Sequence, residues 1–255
     1  MEKKYAQRNY PHSFGLIGKN IHYSFSKQYF TEKFHQLNLS NHEFHHFDID
    51  NLDKLPEILK KYPQLKGLSV TIPYKEQIIP FLDDISSDVK AIGAVNCIKI
   101  QHQKLIGYNT DIFGFEKSFK TLLQPFHQKA LILGTGGASK AVKFVLKKLN
   151  IPFISVARNP KKEDEITYQS LTHQLIDEYQ IIINCTPVGT FPSVNDFPPI
   201  PYESLTTHHF LFDLIYNPSE TVFLKKGKEK GALIKNGLEM LELQAEKAWE
   251  IWTTQ

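Results

Sequence analysis

The chain has 255 residues, with 30 lysine and arginine side chains against 27 aspartate and glutamate side chains and a formal net charge of +3. Charged residues make up 22% and hydrophobic residues 41% of the chain, which predicts a globular protein and excludes whole-chain disorder. This small charge is carried by lysines, with only Arg8 and Arg158 as arginines. It gives no field that favours nucleic acid or an acidic membrane surface as a partner.

The cysteines and the beginning of the chain indicate where the protein works. Cys97 and Cys185 lie far apart and outside any C-x-x-C or Cys/His ligand spacing, so we predict neither a disulfide nor a metal site. The first residues lack the apolar stretch of a secretory signal, and no apolar run approaches the roughly 20 residues of a membrane span. We therefore predict a soluble, cytoplasmic protein without a membrane partner.

In the first half, short apolar strands alternate with segments of helical period. This alternation is typical of βαβ units and predicts an α/β fold. His42, His45 and His46 fall in one of these strands, where we interpret them as an outward polar face and not as metal ligands. The predicted strands are residues 14–17, 43–47, 68–72, 95–100 and 105–108, and the predicted helices are residues 26–37, 52–62 and 111–123.

The second half repeats this alternation after a polar, proline-containing stretch, LLQPFHQK. We predict a domain boundary there, with residues 1–123 and 238–255 in one domain and residues 124–237 in the other. The last segment, residues 238–252, is predicted as an amphipathic helix that packs back on the first domain. The predicted strands of the second half are residues 130–133, 153–156, 181–184, 210–214 and 233–234.

A glycine-rich turn follows the first strand of the second half. Gly134, Gly136 and Gly137 lie between an apolar strand and a helix, where backbone N–H groups and the helix dipole favour a pyrophosphate. Ser139 occupies the third glycine position of the G-x-G-x-x-G pattern. We therefore predict a dinucleotide site, with a simple strand-to-helix turn as the alternative.

The residue that follows the next strand bears on which dinucleotide binds. Arg158 lies roughly 20 residues beyond the glycines, where NAD-binding chains carry an acid for the ribose 2′-hydroxyl. A guanidinium can hold a 2′-phosphate through two parallel hydrogen bonds, which a lysine ammonium cannot do. This position favours NADP, and a solvated loop arginine is the alternative.

Polar segments also end the strands of the first half, where ligands bind in open α/β sheets. Within these segments Lys75 and Asp111 could form a pair in which the lysine exchanges a proton with a substrate hydroxyl while the carboxylate positions it. Spacing alone leaves a structural salt bridge or a solvated lysine equally open.

Eight motifs then follow one another along the chain. They are the opening segment 18–27 with Ser24 and Ser26, S-V-T-I-P-Y-K at 69–75, G-A-V-N-C at 93–97, G-Y-N-T-D-I-F-G at 107–114, G-T-G-G-A-S at 134–139, N-C-T-P-V-G at 184–189, D-L-I-Y-N-P at 213–218 and G-L-E-M-L-E-L-Q-A at 237–245. Their types and order resemble the shikimate dehydrogenase family from about Phe14 to Ala248. The departures, which include Tyr23, Ser69 and Thr190, remove no catalytic group.

The resemblance implies an N-terminal substrate domain, a Rossmann-like NADP domain and a terminal helix that returns to the first domain. It also implies reversible, NADPH-dependent reduction of 3-dehydroshikimate to shikimate, without a metal, in the route to aromatic amino acids. Lys75 and Asp111 would be catalytic. The implied substrate residues are Ser24, Ser26, Thr71, Lys75, Asn96, Asp111, Tyr216 and Gln244. The implied cofactor residues are Gly134, Thr135, Gly136, Gly137, Ala138, Arg158, Asn159, Leu214, Gly237 and Met240.

Two other functions and several structural roles stay open. One alternative is a quinate/shikimate dehydrogenase that uses NAD or both cofactors, and the other is a dinucleotide-binding regulator without turnover. Ser24 and Ser26 could be helix N-caps, Asn96 a turn residue and Gln244 a solvated helix position. We expect a monomer or a homodimer.

Overall fold

The structure, a computed structural model, describes residues 12–22 and 24–254. The chain forms two compact units, each with one six-stranded sheet. The first contains the described residues up to Asn109 and those from Ala248 onward, and the second is Thr110–Lys247. The predicted α/β class is therefore confirmed.

The first unit is built on a mixed sheet. Its elements are β1 (His12–Gly18), α1 (Phe25–Gln36), β2 (His42–Asp48), α2 (Leu55–Lys61), β3 (Leu65–Val70), β4 (Asp84–Ile85), α3 (Ser87–Ile92), β5 (Cys97–Gln101) and β6 (Lys104–Tyr108). The strand order is β2-β1-β3-β5-β6-β4. Strands β2, β1 and β3 run parallel, whereas β5 is antiparallel to both β3 and β6. The carboxyl ends of β1 and β3 therefore meet the beginning of β5 at one edge of the sheet.

The second unit has an all-parallel sheet. Its elements are α4 (Asp111–Lys120), β7 (Ala130–Leu133), α5 (Gly137–Lys148), β8 (Phe153–Val156), β9 (Glu165–Ile166), α6 (His173–Glu178), β10 (Ile181–Asn184), β11 (Phe210–Asp213), α7 (Val222–Glu229) and β12 (Leu233–Lys235). The order β12-β11-β10-β7-β8-β9 is that of a doubly wound, Rossmann-like sheet. Between β7 and β10 the order reverses, which places a ligand-binding crevice at the carboxyl ends of the strands there.

The last helix, α8 (Leu238–Thr253), begins in the second unit and ends in the first. In the first unit, the Trp252 indole is 5% exposed, its Nε1 donates to the Ile98 carbonyl at 3.0 Å, and its ring lies 5.2 Å from those of Phe14 and Phe30. Removing this much aromatic surface from water drives the contact. The predicted packing of the terminal helix on the first part of the chain is confirmed.

The two units do not divide the chain at the predicted boundaries, 123/124 and 237/238. Those boundaries stay predictions for the functional domains. Helix α4 belongs to the second unit because its aromatic face packs there: Phe119 stacks on Phe210 at 5.5 Å, and Phe115 meets Phe212 edge-on at 5.2 Å.

Several predicted elements are wrong in extent. The predicted helix 52–62 is a 3-10 turn, Leu52–Lys54, followed by α2, which starts where Pro56 can enter a first helical turn without an N–H. The predicted strand 68–72 ends at Val70, two residues before the Ile72–Pro73 bond, which is cis. The predicted helix 111–123 ends at Lys120.

The histidine-containing strand β2 is more buried than predicted. His45 and His46 are both half-buried, and burial lowers the pKa of each imidazole below its ordinary value. Within residues 12–22 and 24–254, no three histidine, cysteine or acidic side chains are placed to hold a metal ion. Over the same residues, no helix has the length and apolar character that crossing a membrane requires.

Candidate active site

In the first unit, the loops that follow β1 and β3 are joined by backbone hydrogen bonds. Thr71 N donates to the Ile17 carbonyl at 3.0 Å, and Lys19 N donates to the Ile72 carbonyl at 3.2 Å. Tyr74 N then donates to the Thr71 carbonyl at 2.9 Å and closes a turn that brings the chain to Lys75. The predicted substrate residues Thr71 and Lys75 therefore lie in one ordered loop beyond the strand ends.

Asn96 is held beside this loop. Val95 N donates to the Lys75 carbonyl at 2.7 Å, and Val70 N donates to the Asn96 carbonyl at 2.8 Å. Asn96 is 4% exposed, whereas Lys75 is half-buried. The structure thus brings Thr71, Lys75 and Asn96 together, as expected for residues at one edge of the sheet.

Ser24 is the N-cap of α1. Its Oγ accepts from Ser26 N at 3.4 Å, and the two hydroxyl oxygens lie 3.5 Å apart, so both half-buried side chains are at the N-terminus of a 12-residue helix. Capping therefore accounts for Ser24. The helix N-terminus also favours an anion at this place, which suits the predicted role of both serines toward a carboxylate.

Asp111 begins α4 in the second unit and is 7% exposed. Its neighbour Thr110 donates through Oγ1 to Gln244 Oε1 at 3.2 Å, and Gln244 Nε2 donates to the Leu241 carbonyl at 2.9 Å. Gln244 is thus anchored beside the N-terminus of α4 and is not a solvated helix position. Lys75 and Asp111 belong to different units, and their pairing stays a prediction.

The glycine turn of the second unit has the form that a pyrophosphate site requires. Gly134 follows β7 with φ +98°, a conformation that glycine adopts without strain, and Gly136 caps α5. Ser139, in the third glycine position, donates through Oγ to the Gly136 carbonyl at 2.6 Å and tightens the turn. Apart from the residues next to it along the chain, a Cβ built on Gly136 would meet no heavy atom of the described residues within 4 Å. The N-terminus of α5 is therefore open to an anion.

Beside this turn lies a cavity of about 590 Å³. Five predicted cofactor residues line it: Gly134, Thr135, Gly136, Arg158 and Asn159. The remaining wall is formed by Val156, Ala157, Lys161, Tyr168, Cys185, Thr186, Pro187, Val188, Pro198 and Pro199. The lining therefore combines an arginine and bare glycine backbone with the apolar surfaces of tyrosine, valine and proline. This combination fits a nucleotide with phosphate groups and a base.

The other predicted cofactor residues do not line this cavity. Gly137 and Ala138 open α5, and Met240 is a buried residue of α8. Leu214 and Gly237 meet each other: Gly237 N donates to the Ile215 carbonyl at 2.9 Å, and a Cβ on residue 237 would lie 2.1 Å from the Leu214 carbonyl oxygen. Only glycine permits this close approach of the two backbone segments. The role of Leu214 and Gly237 toward a nicotinamide stays a prediction.

Sequence reasoning missed several cavity residues. Thr186, Pro187 and Val188 belong to the N-C-T-P-V-G motif, so the motif was available as a signal but had no assigned role. Tyr168 follows the short strand β9, and Pro198 and Pro199 lie in an irregular segment. These three positions carry no motif, and only the folded chain brings them to the cavity.

Comparisons with known proteins agree with this arrangement. A family model described as "Shikimate dehydrogenase substrate binding domain" matches residues 16–98. A protein from Clostridium botulinum (strain Hall) named "Shikimate dehydrogenase (NADP(+))" is 38% identical over 250 residues, which cover 93% of this chain and 95% of that protein.

Solved structures show the same likeness. A crystal structure of a shikimate dehydrogenase in complex with NADP+ has a TM-score of 0.84 and 32% identity, and the match covers 95% of this chain and 90% of that one. The Thermus thermophilus enzyme, in complex with NADP(H) and shikimate, has a TM-score of 0.83 at 29% identity, with 94% and 93% covered. Because the likeness extends over nearly the whole of both chains in sequence and fold, this chain belongs to the shikimate dehydrogenase family.

Proposed function

We propose that the chain catalyses the reversible, NADP(H)-dependent reduction of 3-dehydroshikimate to shikimate, the reaction of its family in the route to aromatic amino acids. The observation that carries the proposal is the cavity that both the open glycine turn and Arg158 line. It lies in a chain that matches NADP(+)-named shikimate dehydrogenases over 93% of its length.

The residues present fit NADP. The N–H groups at the N-terminus of α5 suit the pyrophosphate, and the exposed Arg158 guanidinium suits the 2′-phosphate. We propose that the NADP site is completed by Gly134, Thr135, Gly136, Gly137, Ala138 and Asn159. We also propose that the nicotinamide is bordered by Leu214, Gly237 and Met240. When bound, the reduced cofactor supplies the hydride that reaches the carbonyl carbon of the substrate.

The proton is the protein's part of the reaction. We propose that the Lys75 ammonium donates a proton to the carbonyl oxygen as it becomes a hydroxyl, and takes it back in the reverse direction. Asp111 holds Lys75 and a ring hydroxyl in position. Ser24 and Ser26 bind the substrate carboxylate through their hydroxyl groups, and Thr71, Asn96, Tyr216 and Gln244 bind the remaining oxygens.

The test is nicotinamide absorbance with purified protein, NADP and shikimate. We expect turnover in the wild type and a loss of about 10²- to 10⁴-fold in kcat for Lys75→Ala, because general acid–base catalysis is removed. Lys66→Ala, which changes an exposed lysine of β3, is the control and should retain full activity.

Four results would change the proposal. Unchanged turnover in Lys75→Ala would refute the role of that lysine. Cofactor binding without any turnover in the wild type would favour the regulator. Equal rates with NAD and NADP, or oxidation of quinate, would favour the quinate/shikimate dehydrogenase.

We further propose cytoplasmic action as a monomer or homodimer. The free thiols of Cys97 and Cys185 suit a reducing compartment, and size-exclusion chromatography with light scattering tests the assembly.

A further inference from the structure

A buried carboxylate lies at the end of β11, two hydrogen bonds away from a residue that lines the cavity. Asp213 is fully buried, and both of its oxygens accept hydrogen bonds. Oδ1 accepts from Asn184 Nδ2 at 3.1 Å and from Ile215 N at 3.0 Å, and Oδ2 accepts from Thr221 Oγ1 at 2.6 Å. None of the roles proposed above uses this group.

Through Asn184 the carboxylate is connected to the cavity wall. Asn184, the last residue of the neighbouring strand β10, accepts through Oδ1 from Thr186 N at 3.0 Å and from Thr186 Oγ1 at 2.7 Å. Its Nδ2 also contacts the Val188 carbonyl at 3.4 Å, and Val188 N donates to Thr186 Oγ1 at 3.2 Å. The segment Thr186–Val188, which lines the cavity, thus takes its conformation from a side chain that Asp213 holds in place.

On its other side, Asp213 shapes the turn that follows β11. Its bond from Ile215 N closes this turn, whose Ile215 carbonyl accepts from Gly237 N and whose Leu214 carbonyl faces Gly237. Both segments leave parallel strands at their carboxyl ends and have no regular structure, so their backbone groups need specific partners. The Asp213 carboxylate supplies such a partner directly to Ile215 N, and it holds Asn184, which supplies partners to Thr186 and Val188.

A purely structural role does not require an acid at this position. Burying an ionised group is costly, and a well-packed apolar side chain often stabilises a core as well as a buried polar network does. An apolar residue, however, cannot accept the three hydrogen bonds that Asp213 accepts. We propose that Asp213 is a positioning residue for NADP(H), which sets the conformation of Thr186–Val188 and of Leu214–Ile215 together. This inference rests on the proposed function for the identity of the ligand.

The experiment compares two variants by direct NADPH binding, measured by titration calorimetry of the purified protein. Asp213→Leu removes both acceptors and keeps the branching and the number of side-chain heavy atoms, and we expect its Kd for NADPH to rise about tenfold or more. Asp213→Asn keeps one carbonyl oxygen for Asn184 and Ile215, and its amide can donate to Thr221 Oγ1. We therefore expect its Kd to stay within about threefold of the wild type.

His209→Leu is the matched control because His209 directly precedes β11, at the end opposite Asp213. It is 2% exposed, its Nε2 donates to the Ile176 carbonyl at 3.0 Å, and its Nδ1 accepts from Thr206 N at 3.0 Å. We expect His209→Leu to lower the midpoint of thermal unfolding, as Asp213→Leu does, but to leave the Kd for NADPH unchanged. In turnover assays, Asp213→Leu should raise KM for NADP much more than KM for shikimate.

If Asp213→Leu does not fold, Asn184→Ser cuts the connection to Thr186–Val188 and should itself raise the Kd for NADPH about tenfold. A wild-type Kd for NADPH in folded Asp213→Leu or in folded Asn184→Ser overturns the inference. An equal loss of affinity in His209→Leu also overturns it. A wild type that binds NADPH but does not oxidise shikimate would refute the proposed function and leave this binding test intact.

Discussion

Arg158 relates the arginine-poor composition of the chain to the choice of NADP as cofactor. Arg8 lies outside the described residues, so within the described chain Arg158 is the one arginine, and it lines the cavity beside the glycine turn. A lysine would offer a point charge there, whereas the guanidinium offers a planar fork of donors that matches a phosphate. The structure therefore supports the sequence-based preference for NADP.

Replacing Arg158 tests this preference directly. Because hydrogen bonds to a charged phosphate are lost, Arg158→Ala should raise the Kd for NADPH about 10- to 100-fold and leave the Kd for NADH nearly unchanged. Lys162→Ala, which removes a nearby exposed charge that does not line the cavity, is the control. An equal loss of affinity for both cofactors would contradict a contact with the 2′-phosphate.

Asp213 makes stability depend on pH. Burial raises the pKa of this carboxyl from 3.8 to about 6, although the hydrogen bonds from Thr221, Ile215 and Asn184 oppose the increase. The folded state therefore binds the proton more tightly than the unfolded state. The contribution of this group to stability is complete below the unfolded pKa and is lost as the pH rises through the folded pKa, at a cost of about 3 kcal/mol.

Asp213→Asn, which stays neutral, should remove this dependence. Relative to the wild type, its free energy of unfolding should increase between pH 4 and 7, and the two proteins should differ least at the acidic end. Urea unfolding at several pH values measures the difference. A difference that does not vary with pH would show that the folded protein holds this carboxyl at its ordinary pKa.

Among the elements, the buried parallel strands were the most accurately predicted. The predicted strands 130–133, 153–156 and 181–184 are confirmed residue for residue as β7, β8 and β10. Most of these residues are buried on both faces of the sheet, so the strands read as nearly continuous apolar runs, interrupted only by Ser155 and ended in β10 by Asn184. Helices α3, α6 and α7 escaped prediction because six to eight residues give too few turns for a clear helical period.

The terminal helix α8 should stabilise the first unit through Trp252. Trp252→Ala removes a buried indole that contacts Phe14 and Phe30 and donates to the Ile98 carbonyl. We expect a loss of about 3–5 kcal/mol in the free energy of unfolding, measured by denaturant titration. Glu242→Ala, at an exposed position of the same helix, should leave it unchanged. Comparable losses in both variants would argue against the indole contacts.

At the scale of the molecule, the motif order was enough to recognise the shikimate dehydrogenase family, and the comparisons confirm it. The catalytic and binding roles stay predictions. Within each unit, however, the structure places the predicted residues in groups: Thr71, Lys75 and Asn96 are joined through backbone hydrogen bonds, and Gly134, Gly136 and Arg158 share a cavity.

The sequence by itself determined the α/β class, the glycine turn, the position of Arg158 and the family, because each follows from local periodicity or from residues at short spacing. Only the tertiary structure decided that Asp213 is buried, that Asn184 connects it to Thr186, and that Tyr168 lines the cavity beside the glycine turn. These features arise where parallel strands distant in sequence end side by side. Their hydrogen bonds and burial depend on strand order and register, which no single segment of the chain contains.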